Sequence, residues 1–176
     1  EQLRLQGIGS IYNFSFGNTS TEGHYNVTFI ANDTGGNLNT SEKTNFTVDS
    51  TGTSVVIVRP IAGTTQNNGS VINMSVNVTD LFLNVDIVLA NITYPDNSTK
   101  EQLRLARVGN IYNFSFGNTS AQQGHYNITF IANDTGGNLN TTEKTNFTVD
   151  STGPTMRNLT PSVGTTQANG TIVNIS

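Results

Sequence analysis

Along residues 124–133 apolar and polar side chains take turns. Tyr126, Ile128, Phe130 and Ala132 hold one set of positions, and His125, Asn127, Thr129 and Asn133 hold the other. Successive side chains of an extended strand point to opposite faces, so the first set belongs to a core and the second to an outer surface. The same alternation sets Tyr112, Phe114 and Phe116 against Asn113 and Ser115, and Phe147 and Val149 against Asn146 and Thr148. It also sets Ile72, Met74, Val76 and Val78 against Asn73, Ser75, Asn77 and Thr79. Burying each such apolar side chain contributes roughly 1.5 to 3 kcal/mol, so a slip of one residue would expose a whole row and is strongly disfavoured. No segment shows sustained helical periodicity.

The alternation predicts strands near 54–59, 70–79, 83–93, 100–106, 110–117, 124–133 and 140–149. Turn residues separate them: Gly-Thr-Thr-Gln and Asn-Gly within 63–69, Tyr-Pro-Asp-Asn at 94–97, Gly-Asn-Thr-Ser at 117–120 and Asp-Thr-Gly-Gly-Asn at 134–138. Seven strands in about a hundred residues is the count of a Greek-key β-sandwich, which makes the chain all-β with immunoglobulin-like architecture.

The strands belong to a repeat. EQLRL at 1–5 returns at 101–105, and IYNFSFGNTS at 11–20 returns unchanged at 111–120. After one inserted residue near Gln122, the stretch 23–52 pairs with 124–153 and differs only at Val27/Ile128 and Ser41/Thr142. PIAGTTQNNGSVINMS at 60–75 likewise matches PSVGTTQANGTIVNIS at 161–176. The expected organisation is the C-terminal half of one unit over 1–52, a complete unit over 53–152 and the opening of a third over 153–176, with the polypeptide continuing beyond both ends. Residue 176 falls inside a strand-like run.

GHYNITFIANDTGGN followed by NFTVDSTGP resembles the end of the immunoglobulin-like repeats of large archaeal and bacterial cell-surface proteins. Those units close with a Tyr-rich strand, an Ala-x-Asp-x-x-Gly-Asn turn and a Val-Asp junction ending in Pro. Thr53 departs from that pattern where Pro154 keeps it. The resemblance implies a tandem array of sandwich modules, a class that serves as stalks, surface-layer parts, adhesin shafts and enzyme spacers.

Composition changes the picture in one respect. Only 11% of residues are charged, whereas the chain holds 25 Asn, 27 Thr and 14 Ser. The surface is therefore mostly neutral amide and hydroxyl. Asn-x-Ser/Thr occurs at Asn13, Asn18, Asn26, Asn32, Asn39, Asn45, Asn68, Asn73, Asn77, Asn91, Asn97, Asn113, Asn118, Asn127, Asn133, Asn140, Asn146, Asn158, Asn169 and Asn174. Random placement would give about six such tripeptides, so composition alone does not account for twenty. Alternation explains those with an inward-facing middle residue, such as Asn73 and Asn127. It does not explain the turn positions Asn68, Asn97, Asn118 and Asn169. N-linked glycans are the expected modification. Asn32 and Asn133, with Asp in the middle, and Asn158, with Pro following, are the poorer acceptors. A coat of sugar would also replace the charges that normally keep sheet edges from pairing between molecules.

With 8 basic and 12 acidic residues and no basic cluster, the chain lacks the electrostatic footprint of a binder of nucleic acid or of an anionic membrane, and apolar stretches as short as Val55 to Val58 give no expectation of direct membrane insertion. Cysteine is absent, which removes disulfides and thiolate chemistry. His24 and His125 occupy one repeat position on the outer face without a ligand partner, so they read as solvated, and no catalytic motif appears. The chain is expected not to be an enzyme and to need no cofactor.

The Asp134 turn lacks the alternating carboxylates of an EF-hand and reads as a side-chain-capped turn. Asp80, Asp134 and Asp150 are weak calcium candidates should they converge where two units meet. Lys144 near Asn146 raises an intramolecular isopeptide bond, which requires a buried pair beside an acid. The expected function is a structural module of an extracellular, cell-surface filament, stalk or coat. Its partners are further copies of the repeat, in the same chain or in neighbouring filament subunits completing a strand set. The alternative is an adhesin module that recognises carbohydrate or protein on another cell.

Overall fold

The computed structural model describes residues 1–157 and 160–175, and among these it contains sixteen strands and no helix. The first six are β1 (Gln6–Ile8), β2 (Ile11–Asn13), β3 (Gly23–Thr28), β4 (Ala31–Asn32), β5 (Leu38–Asn39) and β6 (Lys43–Val48). They pair only locally, β1 with β2, β3 with β6 and β4 with β5. The remaining ten are β7 (Ser54–Arg59), β8 (Thr64–Asn67), β9 (Ile72–Thr79), β10 (Val85–Thr93), β11 (Lys100–Arg104), β12 (Ala106–Val108), β13 (Ile111–Phe116), β14 (Gly124–Asp134), β15 (Leu139–Asn140) and β16 (Lys144–Asp150). These form two facing sheets. One runs β11-β10-β14-β16-β8 with β15 beside β14, and the other runs β12-β13-β9-β7.

The chain passes between the two sheets five times, and hydrogen bonds fix two of these crossings. Between β11 and β12 it crosses at Leu105, which is buried and whose amide donates to the Val88 carbonyl at 3.0 Å. Between β7 and β8 it crosses at Pro60, whose carbonyl accepts the Thr145 hydroxyl at 2.9 Å, and the Gly63 amide then donates to Asn146 Oδ1 at 2.9 Å.

The core residues expected from alternation are buried on β9, β14 and β16, as are Tyr112 and Phe116 on β13, while Phe114 packs at the core margin. Tyr126 stacks on Phe147 with centroids 4.8 Å apart, and Phe116 reaches across from the other sheet to both rings at 6.2 and 6.4 Å. Ser75 departs from the expected outward set: β9 lies between β13 and β7, and the buried Ser75 hydroxyl donates to Asn113 Oδ1 at 2.9 Å.

Three strand expectations are corrected. Residues 64–67, read as a turn, form β8, because β16 offers a parallel partner from Phe147↔Thr64 to Asp150↔Asn67. A polar tetrapeptide carries no local strand signal, so the pairing decides its conformation. The strand expected over 100–106 breaks at Leu105, where the chain changes sheet, and that over 140–149 divides into β15 and β16. The strand-like run toward residue 176 forms no strand among its described residues, and Ile172 and Ile175 are exposed.

The two copies of IYNFSF show what the partner strands contribute. Tyr112 is 4% exposed and Tyr12 is 65% exposed, although the local sequences are identical. The Tyr25–Phe46 stack, at 4.9 Å, reproduces that of Tyr126 and Phe147, but no second sheet covers it.

Candidate functional site at the junction between repeats

Residues 49–53 leave the end of β6 and lead into β7. Here the upstream copy touches the downstream sandwich. Asn138 Nδ2 donates to the Asp49 carbonyl at 3.3 Å, and Asn140 Nδ2 donates to the Thr53 carbonyl at 2.7 Å. Gly52 lies so close to the β15 backbone that a Cβ there would meet the Leu139 oxygen at 3.1 Å, so glycine permits the approach. Thr53, where the resembling repeats place Pro, is 1% exposed and seated in this contact.

On the other side of the junction the His24 ring meets Phe82 edge-on at 6.0 Å. Glu22 accepts the Ser50 amide at 3.0 Å, the Ser50 hydroxyl and the Thr51 hydroxyl at 2.9 Å. These bonds, the Ser50 hydroxyl first and the Thr51 hydroxyl next, hold the Glu22 carboxyl below its ordinary range. A cavity of about 250 Å³ lies between the copies, with Glu22, Asp49 and Thr51 from one and Asp80, Leu81 and Phe82 from the other among its walls.

Three carboxylates meet at this junction: Asp49, Asp80 and Asp134 each bring an oxygen within 4.8 Å of the others. Backbone amides orient all three. Asp80 Oδ1 accepts the amides of Phe82 and Leu83 at 3.0 and 2.8 Å. Asp134 Oδ1 accepts those of Gly136 and Asn138 at 2.8 and 3.0 Å, while Asn138 Nδ2 donates to its Oδ2 at 2.8 Å. Asp49 Oδ1 accepts the Thr51 amide at 3.0 Å. Burial pushes the Asp134 carboxyl up, but the bonds from the Asn138 side chain and amide, with those of Gly136 and Gly137, outweigh it and hold the group below its ordinary range.

Asp80 and Asp134 thus come together as the sequence suggested, but with Asp49 as the third carboxylate in place of Asp150. Antiparallel pairing puts Gly124 opposite Val149, so Asp150 sits at the other end of β14 from Asp134 and accepts the Thr152 amide at 2.8 Å. The register of the repeat held the signal: Asp49 and Asp150 are the same repeat position, and the upstream copy is the one that reaches this junction.

Among the described sequon asparagines none is buried. Asn13, Asn18, Asn26, Asn32, Asn39, Asn45, Asn68, Asn73, Asn77, Asn97, Asn118, Asn127, Asn169 and Asn174 are exposed, and Asn91, Asn113, Asn133, Asn140 and Asn146 are half-buried. Asn158 lies outside the described residues. Two amide nitrogens are engaged, Asn118 Nδ2 with the Tyr94 hydroxyl at 2.9 Å and Asn140 Nδ2 with Thr53. Sequence pattern alone did not distinguish these two structural asparagines from the rest. His24 and His125 are exposed and bond to Thr47 and Thr148 at 2.9 and 3.0 Å. Lys144 is exposed and Asn146 holds Gly63, so the pair lacks the buried setting an isopeptide bond requires.

This architecture, two facing sheets over 54–150 with a short bonded segment leading in from the copy before, is that of tandem immunoglobulin-like modules. The chain belongs to the bacterial Ig-like domain (group 3) family, which matches residues 10–104 and 110–175. No curated protein matches it. Among solved structures it is similar to a tetra-tandem repeat in the extending region of a large adhesion protein, at 22% identity over 76% of this chain and 33% of that one, with a TM-score of 0.48. It is also similar to fibronectin(III)-like modules of Clostridium thermocellum CbhA, at 15% identity over 56% of this chain and 98% of that one, with a TM-score of 0.45. A third similarity is to an endo-beta-1,4-mannanase from Thermotoga petrophila, at 12% identity over 57% of this chain and 20% of that one, with a TM-score of 0.46. The chain thus spans a third or less of the adhesion-protein and mannanase chains. No helix among the described residues is long and apolar enough to cross a membrane.

Proposed function

We propose that the chain is a structural module of an extracellular, heavily N-glycosylated tandem-repeat protein that builds a surface filament, stalk or coat. In this reading 53–152 is one complete unit, 1–52 the closing half of the unit before it and 153–176 the opening of the next. The observation that carries it is the junction. The upstream copy is tied to the complete unit by the bond of Asn138 to the Asp49 carbonyl, through a link only a few residues long whose far end Asn140 holds at Thr53, so repeated ends propagate a quasi-one-dimensional array. The exposed Asn-Thr outer faces supply the acceptors for sugar, and the low charge of the chain gives the coat its task of preventing lateral pairing.

Glycopeptide mass spectrometry on protein purified from its native source tests the modification. Glycans are expected at exposed strand and turn positions such as Asn68, Asn97 and Asn127, and Asn140 is expected to be bare because its amide nitrogen is committed to Thr53. Unmodified peptides throughout would overturn the glycosylated reading. Saturable binding of a carbohydrate or cell-surface protein by the deglycosylated chain would favour recognition over scaffolding.

A further inference from the structure

We propose that the cleft at the β11–β12 edge of the sandwich binds a carboxylate-bearing sugar, the hexuronate end of a glycan, through Arg104, Arg107 and the Tyr112 hydroxyl. A cavity of about 290 Å³ lies there, walled by residues 85–88 of β10, by residues 104–107 where the chain crosses between sheets, and by Tyr112 of β13. Tyr112 is 4% exposed, and its hydroxyl is shut off from water without a hydrogen-bond partner. A buried hydroxyl left unpaired is costly, and this one stands in the wall of a cavity that can bring it an acceptor. Arg107 is the direct cross-strand partner of Tyr112, so its side chain leaves the edge strand β12 on the core-facing side. Its guanidinium lies over the tyrosine ring, with Cζ 5.8 Å from the centroid. Nε donates to the Gly109 carbonyl at 2.8 Å, which leaves both Nη groups for a ligand. Arg107 is exposed and tethered at Nε, so a small movement of its side chain uncovers the hydroxyl beneath.

The chemistry selects the ligand. Two planar guanidinium forks and a phenol donor suit a flat oxyanion, and a carboxylate matches the fork in two parallel hydrogen bonds. Asp86 is the extra residue of a β-bulge between Val85 and Ile87, a distortion that re-aims a side chain, and it joins the same walls. Two arginines and one aspartate leave one positive charge, which fits a carboxylate better than the nearly double charge of a phosphate. Asp86 supplies acceptors for sugar hydroxyls, while Val85, Ile87 and Ala106 offer an apolar wall to the C–H face of a ring. The volume stands near the lower bound of ligand pockets, about 300 Å³, so the cleft admits one ring, the end of a glycan.

The two copies differ where this site is built. Residues 106–110 read Ala-Arg-Val-Gly-Asn, against Gln-Gly-Ile-Gly-Ser at 6–10. Gly7 replaces Arg107, and Tyr12 folds onto it so closely that a Cβ at Gly7 would meet the ring at 2.8 Å. The cavity walls also come from stretches free of the acceptor tripeptide, between Asn77 and Asn91 and between Asn97 and Asn113, so no sequon asparagine lines the cleft. An inward charge at a sheet edge also hinders pairing with another molecule, but that role needs neither the cavity nor the tyrosine hydroxyl. The site goes beyond the scaffold reading and does not rest on it; its failure would leave that reading standing, and glycopeptide mapping tests the coat independently.

The test is two-dimensional NMR of the isotope-labelled, glycan-free 176-residue chain titrated with sodium methyl glucuronide at constant ionic strength. Methyl glucoside and sodium acetate serve as separate titrants. Saturable shifts are expected at amides of 85–88 and 104–112, with a dissociation constant of about 1 mM, the strength that a single sugar ring reaches at ordinary ligand efficiency. The neutral sugar and acetate should each bind about tenfold more weakly or worse. Arg107→Gly, a residue the upstream copy accommodates in β1 opposite Tyr12, should weaken binding about tenfold or more. Tyr112→Phe should weaken it about threefold to tenfold without lowering the sugar-free melting temperature, since the hydroxyl has no partner to lose. No shift at about 20 mM methyl glucuronide, an equal response to methyl glucoside or acetate, or undiminished binding by Arg107→Gly or Tyr112→Phe would each overturn the proposal.

Discussion

Phe147 and Phe46 occupy the same repeat position, follow the same residues and stack on equivalent tyrosines, Tyr126 and Tyr25, yet only one lies between two sheets. Phe147 is 0% exposed and meets Phe116 from the opposing sheet, whereas Phe46 is 37% exposed and meets only the equivalent Phe16, at 6.1 Å, which lies in no strand. Truncating a buried Phe to Ala costs about 3–5 kcal/mol through lost transfer energy and the cavity left behind. Phe147→Ala should therefore lower the unfolding free energy of the sandwich by that amount. For a domain of about 100 residues it should depress the melting temperature by about 12 °C or more. Phe46→Ala removes the same atoms from a site already open to water and should change the main transition by less than about 1 kcal/mol. Urea unfolding followed by tyrosine fluorescence reads both, since the chain has five Tyr and no Trp. Equal losses in the two variants would show that the local pair, not the opposing sheet, supplies the stability, and the two-layer account would be wrong.

Asn140→Ala should cost about 1–3 kcal/mol by orphaning the carbonyl of the buried Thr53, whereas Asn39→Ala, without that contact, should fall within about 0.5 kcal/mol of the parent; differential melting of the two checks this. Gly124→Ala should destabilise by more than about 1 kcal/mol, because Gly124 has a φ of +123° and a Cβ there would lie 2.9 Å from that of Pro95; chemical denaturation measures it. The Tyr94 hydroxyl is pushed up to about 12, by burial first and by its bond to Glu101 next. A phenol raised in the folded state contributes stability that is complete below the unfolded value of 10.0 and is lost as pH climbs toward 12. Denaturation midpoints should fall between those pH values, and Tyr94→Phe should flatten that part of the slope.

Alternation made the sandwich legible because one period sorts side chains into two environments. Tyr126, Ile128, Phe130 and Ala132 were assigned to the core by pattern alone, and all four are buried. Where the pattern was silent, tertiary pairing decided. The Thr-Thr-Gln-Asn of β8 has no apolar face and becomes a strand through the edge of β16. Leu105 reads as one more apolar strand residue, and only the two sheets reveal that the chain crosses there. At the junction, sequence suggested Asp80 and Asp134 but paired them with the carboxylate of their own unit. Strand direction carries Asp150 to the far end and brings Asp49 from the copy before. Asn118 and Asn140 match the acceptor motif as well as any other asparagine; their hydrogen bonds to Tyr94 and Thr53 depend on folding and leave no trace in the tripeptide.

An end-to-end array predicts length, and length can be measured directly. The longest strand, β14, has 11 residues and spans about 36 Å at about 3.3 Å per residue. Each added copy, with its short junction, should lengthen the molecule by about 40 Å. Small-angle X-ray scattering from chains carrying successively more repeats should show the maximum dimension growing by that step while the cross-section stays constant. A maximum dimension that stalls as copies are added, with the cross-section thickening instead, would mean that the units fold back on one another and would contradict the account.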